Sequence, residues 1–453
     1  MPRKNQGTRP HVVILGAGFG GIKAAKLLAD KDVDVTIVDK HNYHLFQPLL
    51  YQVSTSILSE DEISYPIRAF FQKNENIDFF MAEATGFDPA NKIVKTSHGD
   101  ISYDYLIIAT GATTNYFGMK SVEEHSYPMK TLRESTLLRN HLIRTFERAS
   151  RVENDKDLKK ALMTIMIVGG GPTGVEEAGA ISELVYKCMK KDYHNLNMND
   201  VDIKLIEATD KLLPMMPEAL RNNTVDVLRG KKVDVRLNTQ VRDYDGEYIT
   251  LKCGEKEEKI RTRTVIWAAG VKAQPVVATL GAEVDRAGRV IVEKTTQVKG
   301  FPDIYAIGDS AHFEQDGRPL PTIAPAAYEA AETTVKNIMH AIKGEEQETF
   351  VYKDLGSMAT IGAGDAVMFK GVMKSKGLFA WIAWMAVHVL RLAGPLTNCT
   401  VIFKWVMNYF FGVRMARIYI KKFFGLFLIR SIFYFNKEKG IYAKCVNKEL
   451  LVL

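Results

Sequence analysis

The chain has 453 residues, of which 46% are hydrophobic, and a formal net charge of +7. That length and apolar content predict two or three domains with sizeable cores. The four cysteines show no C-x-x-C spacing, which argues against a disulfide framework, a zinc or iron–sulfur site and chemistry that needs paired thiols. The same cysteine pattern fits a reducing, cytoplasm-facing setting, and the basic start MPRKNQGTRPH has no apolar core, so we expect no secretory signal.

The first motif along the chain is a glycine fingerprint after the apolar stretch VVIL. Its glycines are Gly16, Gly18, Gly20 and Gly21. In a G-x-G-x-x-G pattern between strand and helix, the glycines allow a tight turn, backbone approach to a pyrophosphate, and close packing of the helix on the strand. The next apolar stretch ends in Asp39 and Lys40, where a carboxylate can accept from ribose hydroxyls. These residues predict a dinucleotide site.

A second copy of the fingerprint follows the apolar stretch IMIV, with glycines at Gly169, Gly171 and Gly174. An extended helix is predicted through residues 175–195, after which the strand VDIKLIE ends in Glu207. An isolated acid at a strand end caps a loop about as often as it binds the ribose of a nucleotide. Two such units in one chain favour a duplication with two dinucleotide sites.

Three further strand ends carry small or acidic residues that suit a cofactor. YLIIATG ends in Thr110 and Gly111, and VIWAAG ends in Ala269 and Gly270, so the duplication extends beyond the fingerprints. FPDIYAIGDSA delivers Gly308 and Asp309, whose carboxylate can accept from the hydroxyls of a polyol. The alternative is that Asp309 or Ser310 caps the helix that follows.

Taken together, these motifs resemble the two-dinucleotide flavoprotein reductases over about residues 10–330. The resemblance implies one non-covalent FAD and NADH as co-substrate. It assigns to FAD the first fingerprint with Asp39, Lys40, Thr110, Gly111, Gly308, Asp309 and Ala324. It assigns to NADH the second fingerprint with Glu207, Ala269 and Gly270.

Within that group the chain is similar to type II NADH:quinone oxidoreductases, which pass a hydride from NADH to FAD and then electrons to a membrane quinone without pumping protons. The narrower resemblance rests on FQPLLYQV at 46–53, GVEE at 174–177, LLPMMP at 212–217, GSMATIG at 356–362 and the basic tail from Trp381 onward. One departure concerns the helix after the Gly-Asp motif. There the chain has Tyr328 and Glu329 near the place where members often carry a glutamine.

The implied fold class is α/β, with two Rossmann-like three-layer domains that bind dinucleotides and a C-terminal amphipathic helical region that binds membranes. We predict a discontinuous FAD domain at residues 8–118 and 295–378, with the NADH domain between them at 119–294. Residues 379–453 form the predicted membrane-binding region.

Three residues are the candidates for catalysis. Glu176 follows the second fingerprint and is predicted to hold the nicotinamide amide or to help proton delivery; the alternative is an acid that complements the helix dipole, a role assigned rather to Glu177. Gln47 and Tyr51 combine polar groups with an apolar wall that suits a quinone head, or else they belong to a loop that packs on the flavin. His44 and His388 are interpreted as core histidines.

The tail carries the strongest charge pattern of the chain. From Ala366 through Asn436 there is no Asp or Glu, while ten Lys or Arg alternate with large apolar residues and tryptophans 381, 384 and 405. The charges interrupt every stretch before it reaches a spanning length. We therefore predict helices that lie in the headgroup layer of an anionic membrane, and peripheral attachment to the cytoplasmic face of an inner or plasma membrane. The alternatives are a packing region or a homodimer interface, and the apolar bulk argues against nucleic acid.

Three classes of function remain to be compared. The first is a membrane-bound enzyme that passes electrons from NADH through FAD to quinone. The second is a soluble flavoprotein reductase that serves a protein partner such as a ferredoxin. The third is a binding protein that responds to nucleotides without turnover. The apolar tail favours the first class over the second, and two complete nucleotide sites argue against the third.

Overall fold

The computed structural model of the protein describes residues 9–419, without the side chains of residues 395 and 396. Two parallel sheets form its framework. The first sheet has the strand order Gln297–Val298, Phe301–Ala306, Tyr105–Ile108, His11–Leu15, Asp34–Asp39 and Ile77–Met81, in which Gln297–Val298 runs antiparallel to its neighbour. Distant parts of the chain therefore meet in one sheet.

The second sheet repeats the core of the first. Its strand order is Tyr127–Pro128, Thr264–Trp267, Thr164–Val168, Asp202–Ile206 and Val233–Arg236, and all neighbouring strands are parallel. The central strands His11–Leu15 and Thr164–Val168 are buried throughout. Apolar residues at every position of a strand indicate a sheet that is covered on both faces.

The helices, in chain order, are α1 Phe19–Leu28, α2 Leu50–Ser54, α3 Ile67–Phe70, α4 Lys120–His125, α5 Leu132–Ala149, α6 Lys156–Leu162, α7 Pro172–Glu183, α8 Lys190–Asp192, α9 Glu218–Gly230, α10 Ala324–Lys343, α11 Gly377–Arg391 and α12 Pro395–Phe411. A π-helix, Leu184–Met189, joins α7 to α8, so the predicted extended helix after the second fingerprint is confirmed. Short 3₁₀ helices lie at Gln47–Leu49, Glu60–Glu62, Met198–Asp200, Pro275–Leu280 and Gly308–Ser310.

Antiparallel strands cover the second face of each parallel sheet. The three-stranded sheet Ala84–Asp88, Ile93–Thr96 and Ile101–Ser102 belongs to the first unit, and Thr239–Tyr244, Tyr248–Cys253 and Lys256–Arg261 belongs to the second. Each unit is thus a layer of helices, a parallel sheet and an antiparallel layer. A third such sheet is Ser357–Gly362, Asp365–Lys370 and Met373–Lys376. Four strand pairs complete the list: Tyr43–Leu45 with Ser64–Pro66, Ala112–Thr114 with Val271–Ala273, Val290–Ile291 with Ala311–His312, and Glu314–Gln315 with Arg318–Pro319.

Core packing crosses two of the predicted domain boundaries. Val277 and Val290 lie in the same buried cluster as strand residues of the first sheet, although they precede residue 295. Ala359 and Val367, which the prediction assigns to the FAD domain, lie in a cluster with Val175 of α7, which it assigns to the NADH domain. The buried clusters therefore do not follow the predicted domain bounds. Which segments hold which nucleotide stays a prediction.

The two C-terminal helices, α11 and α12, lie against this body, and residues up to Arg417 belong to one compact unit with it. In the described part of the chain, none of the helices combines the length and the apolar character that crossing a membrane requires. Residues 420–453 of the predicted membrane-binding region, with Lys421, Lys422 and Arg430, lie outside the described residues.

Candidate functional site

The first glycine loop, residues 16–21, joins the strand His11–Leu15 to α1. Gly16 has a φ of +99°, and a Cβ there would lie 2.3 Å from the carbonyl oxygen of Ala109. At Gly21 a Cβ would lie 1.8 Å from the carbonyl oxygen of Gly16, and at Gly20 it would lie 2.8 Å from the Ile307 side chain. The turn therefore requires glycine at Gly16 and Gly21, where a Cβ would meet backbone, whereas at Gly20 the end of the Ile307 side chain would have to shift.

The second glycine loop, residues 169–174, repeats this geometry. Gly169 has a φ of +117°, and a Cβ there would lie 2.7 Å from the carbonyl oxygen of Ala268. At Gly174 a Cβ would lie 1.9 Å from the carbonyl oxygen of Gly169. Both loops consequently hold a helix against a strand through bare backbone, as the two fingerprints predict.

The middle glycine of each loop has a different reason to be glycine. Gly18 and Gly171 have φ values of −72° and −73°, and a Cβ on either would meet no described atom within 4 Å. Each is the N-cap of its helix without a capping side chain, so the first-turn N–H groups face this open space. An anion fits there, since helix N-termini attract negative charge. The geometry suits the pyrophosphate of a dinucleotide in both units.

A carboxylate braces each glycine loop. Asp39 accepts hydrogen bonds from the backbone N–H groups of Ala17 and His41, both at 2.8 Å. Glu207 accepts from the N–H groups of Gly170, at 2.6 Å, and Thr209, at 2.7 Å. A carboxylate has about four lone-pair sites, so both side chains retain acceptor capacity for ribose hydroxyls.

The strand ends of the duplicated unit lie beside the glycine loops and then pair with each other. Gly111 and Gly270 both have positive φ, and beyond them Ala112–Thr114 runs antiparallel to Val271–Ala273. On the first side, the Ser310 hydroxyl accepts from the Gly111 N–H at 2.9 Å and lies 3.1 Å from the Thr110 hydroxyl. Thr110, Gly111 and the Gly-Asp motif are therefore brought together.

The Gly-Asp motif does not cap a helix. Residues Gly308–Ser310 form a single 3₁₀ turn, and the next helix, α10, begins at Ala324 with Ile323 as its N-cap. The alternative in which Asp309 or Ser310 caps that helix is therefore wrong. The Asp309 carboxylate is largely buried and lies 3.3 Å from the Lys130 ammonium group.

Two buried acids lie side by side on α7. Because α7 begins at Pro172, Glu176 lies beyond the first turn, and its interpretation as a first-turn acid that complements the helix dipole is wrong. The pKa of Glu176 is raised to about 8, mainly by burial and to a smaller extent by the neighbouring Glu177. Glu177 is fully buried and accepts from the Ser54 hydroxyl at 3.0 Å, which fits a structural role.

Tyr51 lies close to Glu176, whereas Gln47 does not join this group. The buried Tyr51 hydroxyl is 3.0 Å from the Thr360 hydroxyl, and the Thr360 N–H donates to Glu176 at 3.4 Å. Tyr51 and Thr360 line a small cavity beside α11 and α12. Gln47 is exposed in its 3₁₀ turn and is not among the residues that line this cavity. The Tyr328 ring packs on Phe19, at 5.6 Å between centroids.

We expect Glu176→Gln to weaken the pH dependence of stability. The pKa of Glu176 is about 8 in the folded state and 4.5 for a freely solvated glutamate, so the folded state binds more protons between these two pH values. The corresponding stabilisation is present below about pH 4.5 and is lost as the pH rises through 8. Between pH 6 and pH 8 the wild type should lose about 2 kcal/mol more than the variant. Urea denaturation at the two pH values measures this, and parallel curves would contradict it.

The sequence predicts that the tryptophans of the tail lie in the headgroup layer of a membrane. This prediction is wrong, because the protein buries all three. Trp381, Trp384 and Trp405 are only 9%, 1% and 4% exposed. Trp384 packs between Trp405, at 5.5 Å, and His388, at 4.0 Å between ring centroids. Both tail helices therefore contribute to the core of the protein, and His388 is a core histidine. His44 is likewise buried, with Nδ1 2.8 Å from the Ala17 carbonyl oxygen.

Several of the tail cations are also engaged by the body. Lys404 lies 2.6 Å from Glu62, and Arg417 pairs with Asp192. Arg414 has no exposed side-chain surface and donates to the carbonyl oxygens of Thr55, at 2.8 Å, and Ala180, at 3.0 Å. The charge available to a membrane is therefore smaller than the sequence count of ten suggests.

An apolar surface remains exposed on the two tail helices. It includes Leu378, Phe379, Ile382 and Leu390 of α11, and Ile402, Phe403, Val406, Phe410 and Phe411 of α12. Exposed apolar residues in such a group mark an interaction surface. We call this group the apolar tail face.

Sequence analysis missed the roles of Arg414, Thr360 and Thr209. Nothing in the sequence distinguishes Arg414 from the other tail cations, because only the fold shows that it points inward. Thr360 lies in GSMATIG, a segment that supports the family resemblance but in which the sequence assigns no function to any single residue. Thr209 follows Glu207 at the position of a short polar turn, where a hydroxyl commonly hydrogen-bonds a nearby acid, so a local signal existed.

The sequence of the chain matches known oxidoreductases over most of its length. Residues 10–341 match the family model described as pyridine nucleotide-disulphide oxidoreductase. A type II NADH:quinone oxidoreductase of Mycobacterium tuberculosis is 36% identical over 419 residues, which cover 89% of this chain and 88% of that protein. The type II NADH:quinone oxidoreductase of Staphylococcus saprophyticus is 29% identical and covers 79% of this chain and 89% of its own.

A solved structure agrees in fold. The structure of NDH2 from Plasmodium falciparum in complex with NADH has a TM-score of 0.82 and 22% identity, and it covers 91% of this chain and 100% of that chain. The matching fold confirms the α/β class. Because the family model spans both glycine loops and the Mycobacterium relative is 36% identical over 89% of this chain, this chain belongs to the pyridine nucleotide-disulphide oxidoreductases and, within them, to the type II NADH:quinone oxidoreductases.

Proposed function

We propose that this chain oxidises NADH through one tightly held, non-covalent FAD and reduces a membrane quinone, without pumping protons. The observation that carries the proposal is the pair of glycine loops, each with open space at its middle glycine and a carboxylate at the next strand end. The overall reaction takes NADH, one proton and a quinone to NAD⁺ and quinol.

The first unit is the proposed FAD site. Its pyrophosphate would meet the open space at Gly18, and its adenosine ribose would meet Asp39 and Lys40. The remaining part of FAD, which bears the polyol, would be held by Thr110, Gly111, Gly308, Asp309 and Ala324. Asp309 suits this contact because its carboxylate is largely buried beside Lys130. FAD supplies a two-electron carrier between NADH and quinone.

The second unit is the proposed NADH site, with Gly169, Gly171, Gly174 and Glu207 on the adenosine side and Ala269 and Gly270 at the strand end. The domain division proposed for these ligands is 8–118 with 295–378 for FAD, 119–294 for NADH, and 379–453 for the membrane. The common strand topology of the two units supports one nucleotide in each.

Glu176 and Tyr51 are the proposed catalytic residues, and the exposed Gln47 is a proposed quinone contact. A carboxyl group with a pKa of about 8 can hold a proton at neutral pH and give it up when negative charge develops nearby. Burial raises the pKa of Tyr51 as well, so its hydroxyl stays a hydrogen-bond donor. These groups suit a quinone oxygen, which gains negative charge on reduction.

The apolar tail face is the proposed contact with the membrane. Exposed phenylalanine and leucine side chains insert among lipids, and the exposed Lys370, Lys374 and Arg391 can meet anionic phosphates. We place the chain on the cytoplasmic face, since Cys188, Cys253 and Cys399 are free thiols, as a reducing compartment favours. A homodimer is compatible with this arrangement.

One preparation tests the proposal. The purified protein should be yellow, should release all of its FAD on denaturation, and should oxidise NADH with a short-chain quinone as acceptor. A ferredoxin should be a poor acceptor in the same assay, and ferricyanide serves as a general one. Flavin that stays with the precipitated chain would contradict non-covalent binding. Faster turnover with ferredoxin than with quinone would favour a soluble reductase with a protein partner.

A further inference from the structure

A chain of hydrogen bonds between buried side chains runs from α12 to α7. The Trp405 indole N–H donates to the Gln52 side-chain oxygen at 2.6 Å, and the Gln52 amide N–H donates to the Tyr51 hydroxyl at 2.8 Å. The Tyr51 hydroxyl lies 3.0 Å from that of Thr360, whose backbone N–H donates to Glu176. A residue of a tail helix is therefore connected to both proposed catalytic residues.

The chemistry of tryptophan gives this chain a direction. An indole N–H can only donate, so Gln52 must turn its carbonyl oxygen toward Trp405 and its NH₂ group toward Tyr51. The Tyr51 hydroxyl accepts that bond, and its distance of 3.0 Å from the Thr360 hydroxyl allows either group to donate; in the arrangement that we infer, Tyr51 is the donor. Thr360 then accepts, and its hydroxyl has no other hydrogen-bond partner among residues 9–419. The Thr360 proton is consequently free to donate into the cavity that Tyr51 and Thr360 line.

We propose that Trp405 is a positioning residue for quinone reduction: it fixes the Gln52 amide and thereby leaves the Thr360 hydroxyl as a donor to the quinone oxygen. This inference rests on the proposed function, which puts the quinone near Tyr51. Without the indole N–H, the Gln52 amide can rotate and present its oxygen to Tyr51. Tyr51 then donates to Gln52, and Thr360 turns its proton toward Tyr51, away from the cavity.

The test compares two tryptophan substitutions in the full chain with bound flavin. Trp405→Phe removes the N–H, and Trp384→Phe is the matched control, because its ring packs in the same cluster and it lies outside the hydrogen-bond chain. We expect kcat/KM for a short-chain quinone to fall about fivefold in Trp405→Phe, as for the loss of one hydrogen bond. We expect less than a twofold change in the control, and unchanged flavin reduction by NADH in both. Equal losses in the two variants would overturn the proposal.

Thr360 provides a conservative pair. Thr360→Val removes the donor, and Thr360→Ser keeps it, so quinone reduction should fall about fivefold in the first and stay within twofold in the second. Equal activity of the two variants would overturn the proposal. If Trp405→Phe does not fold, Gln52→Met breaks the same chain and must reproduce the expected loss.

A spectroscopic measurement follows the hydrogen bond without turnover. In protein labelled with ¹⁵N-tryptophan, the indole N–H signal of Trp405 is identified by its loss in Trp405→Phe, and it should shift in Gln52→Met. An unshifted signal would overturn the proposal. Tyr51→Phe separates the two levels of inference. If it reduces quinone at the wild-type rate, the proposed role of Tyr51 fails; if it is slow while Trp405→Phe is not, only the positioning role fails.

Discussion

Glu207→Gln should raise kcat/KM with NADPH by about 30-fold and should leave NADH the better substrate by only a small margin. The carboxylate of Glu207 lies where the 2′-phosphate of NADPH would come, if the second unit holds the nucleotide as proposed. Like charges in a partly desolvated site repel by about 2 kcal/mol, which corresponds to this factor. Glutamine keeps an acceptor oxygen for the Gly170 N–H and removes only the charge.

The neighbouring lysines do not weaken this expectation. Lys204 is held by Asp202, at 2.8 Å, and by Asp234, at 3.0 Å, so its charge is already neutralised. Lys211 lies 3.5 Å from Asp210. As a control, Asp226→Asn removes one exposed negative charge of α9 and should leave the ratio of the two efficiencies unchanged. If Glu207→Gln keeps the wild-type ratio, Glu207 does not face the ribose.

Replacing Phe403 and Phe410 together by serine should lower binding to anionic vesicles about 100-fold. Their side chains are 55% and 70% exposed on α12, so both can leave water only by entering another surface. Burying two such rings is worth about 3 kcal/mol. Cosedimentation with vesicles that contain phosphatidylglycerol measures the change. Activity with a quinone embedded in the vesicles should fall in parallel, while activity with a soluble acceptor should not.

The matched control is the double substitution of the same residues by leucine, which keeps the apolar area and should keep most of the binding. High salt should release the wild type poorly, since salt screens phosphate attraction and leaves apolar burial intact. Wild-type binding by the serine variant would show that the apolar tail face is not the membrane contact. Deletion from residue 380 onward is a poor test, because it would also remove Trp384, Trp405 and Arg414 from the core.

The two glycine loops and the carboxylates that brace them could be predicted from the sequence because their constraints are local. Gly16 and Gly169 are fixed by backbone geometry within one turn, and Asp39 and Glu207 follow at the end of the next strand. The tail could be predicted only in part. An apolar stretch with interspersed cations looks the same whether its tryptophans face lipid or a protein core, and only long-range packing buries Trp405.

The proposed quinone side depends on contacts across the fold. Tyr51, Thr360 and Glu176 come from three distant parts of the chain, and no spacing in the sequence brings them together. The exposed position of Gln47 could not be read from its neighbours either. The segment FQPLLYQV is apolar around both Gln47 and Gln52, yet only Gln52 is buried.

The strand pair beyond Gly111 and Gly270 has a symmetry of its own. Ala112 pairs with Ala273, Thr113 with Lys272, and Thr114 with Val271. Counted from the two glycines, the first residue of one copy meets the third of the other, and the middle residues meet each other. Any antiparallel pairing has this local two-fold relation, and here it joins the two units directly. Gly111 stands at one end of the three residue pairs and Gly270 at the other, so the strand ends of the two units cannot shift independently of each other.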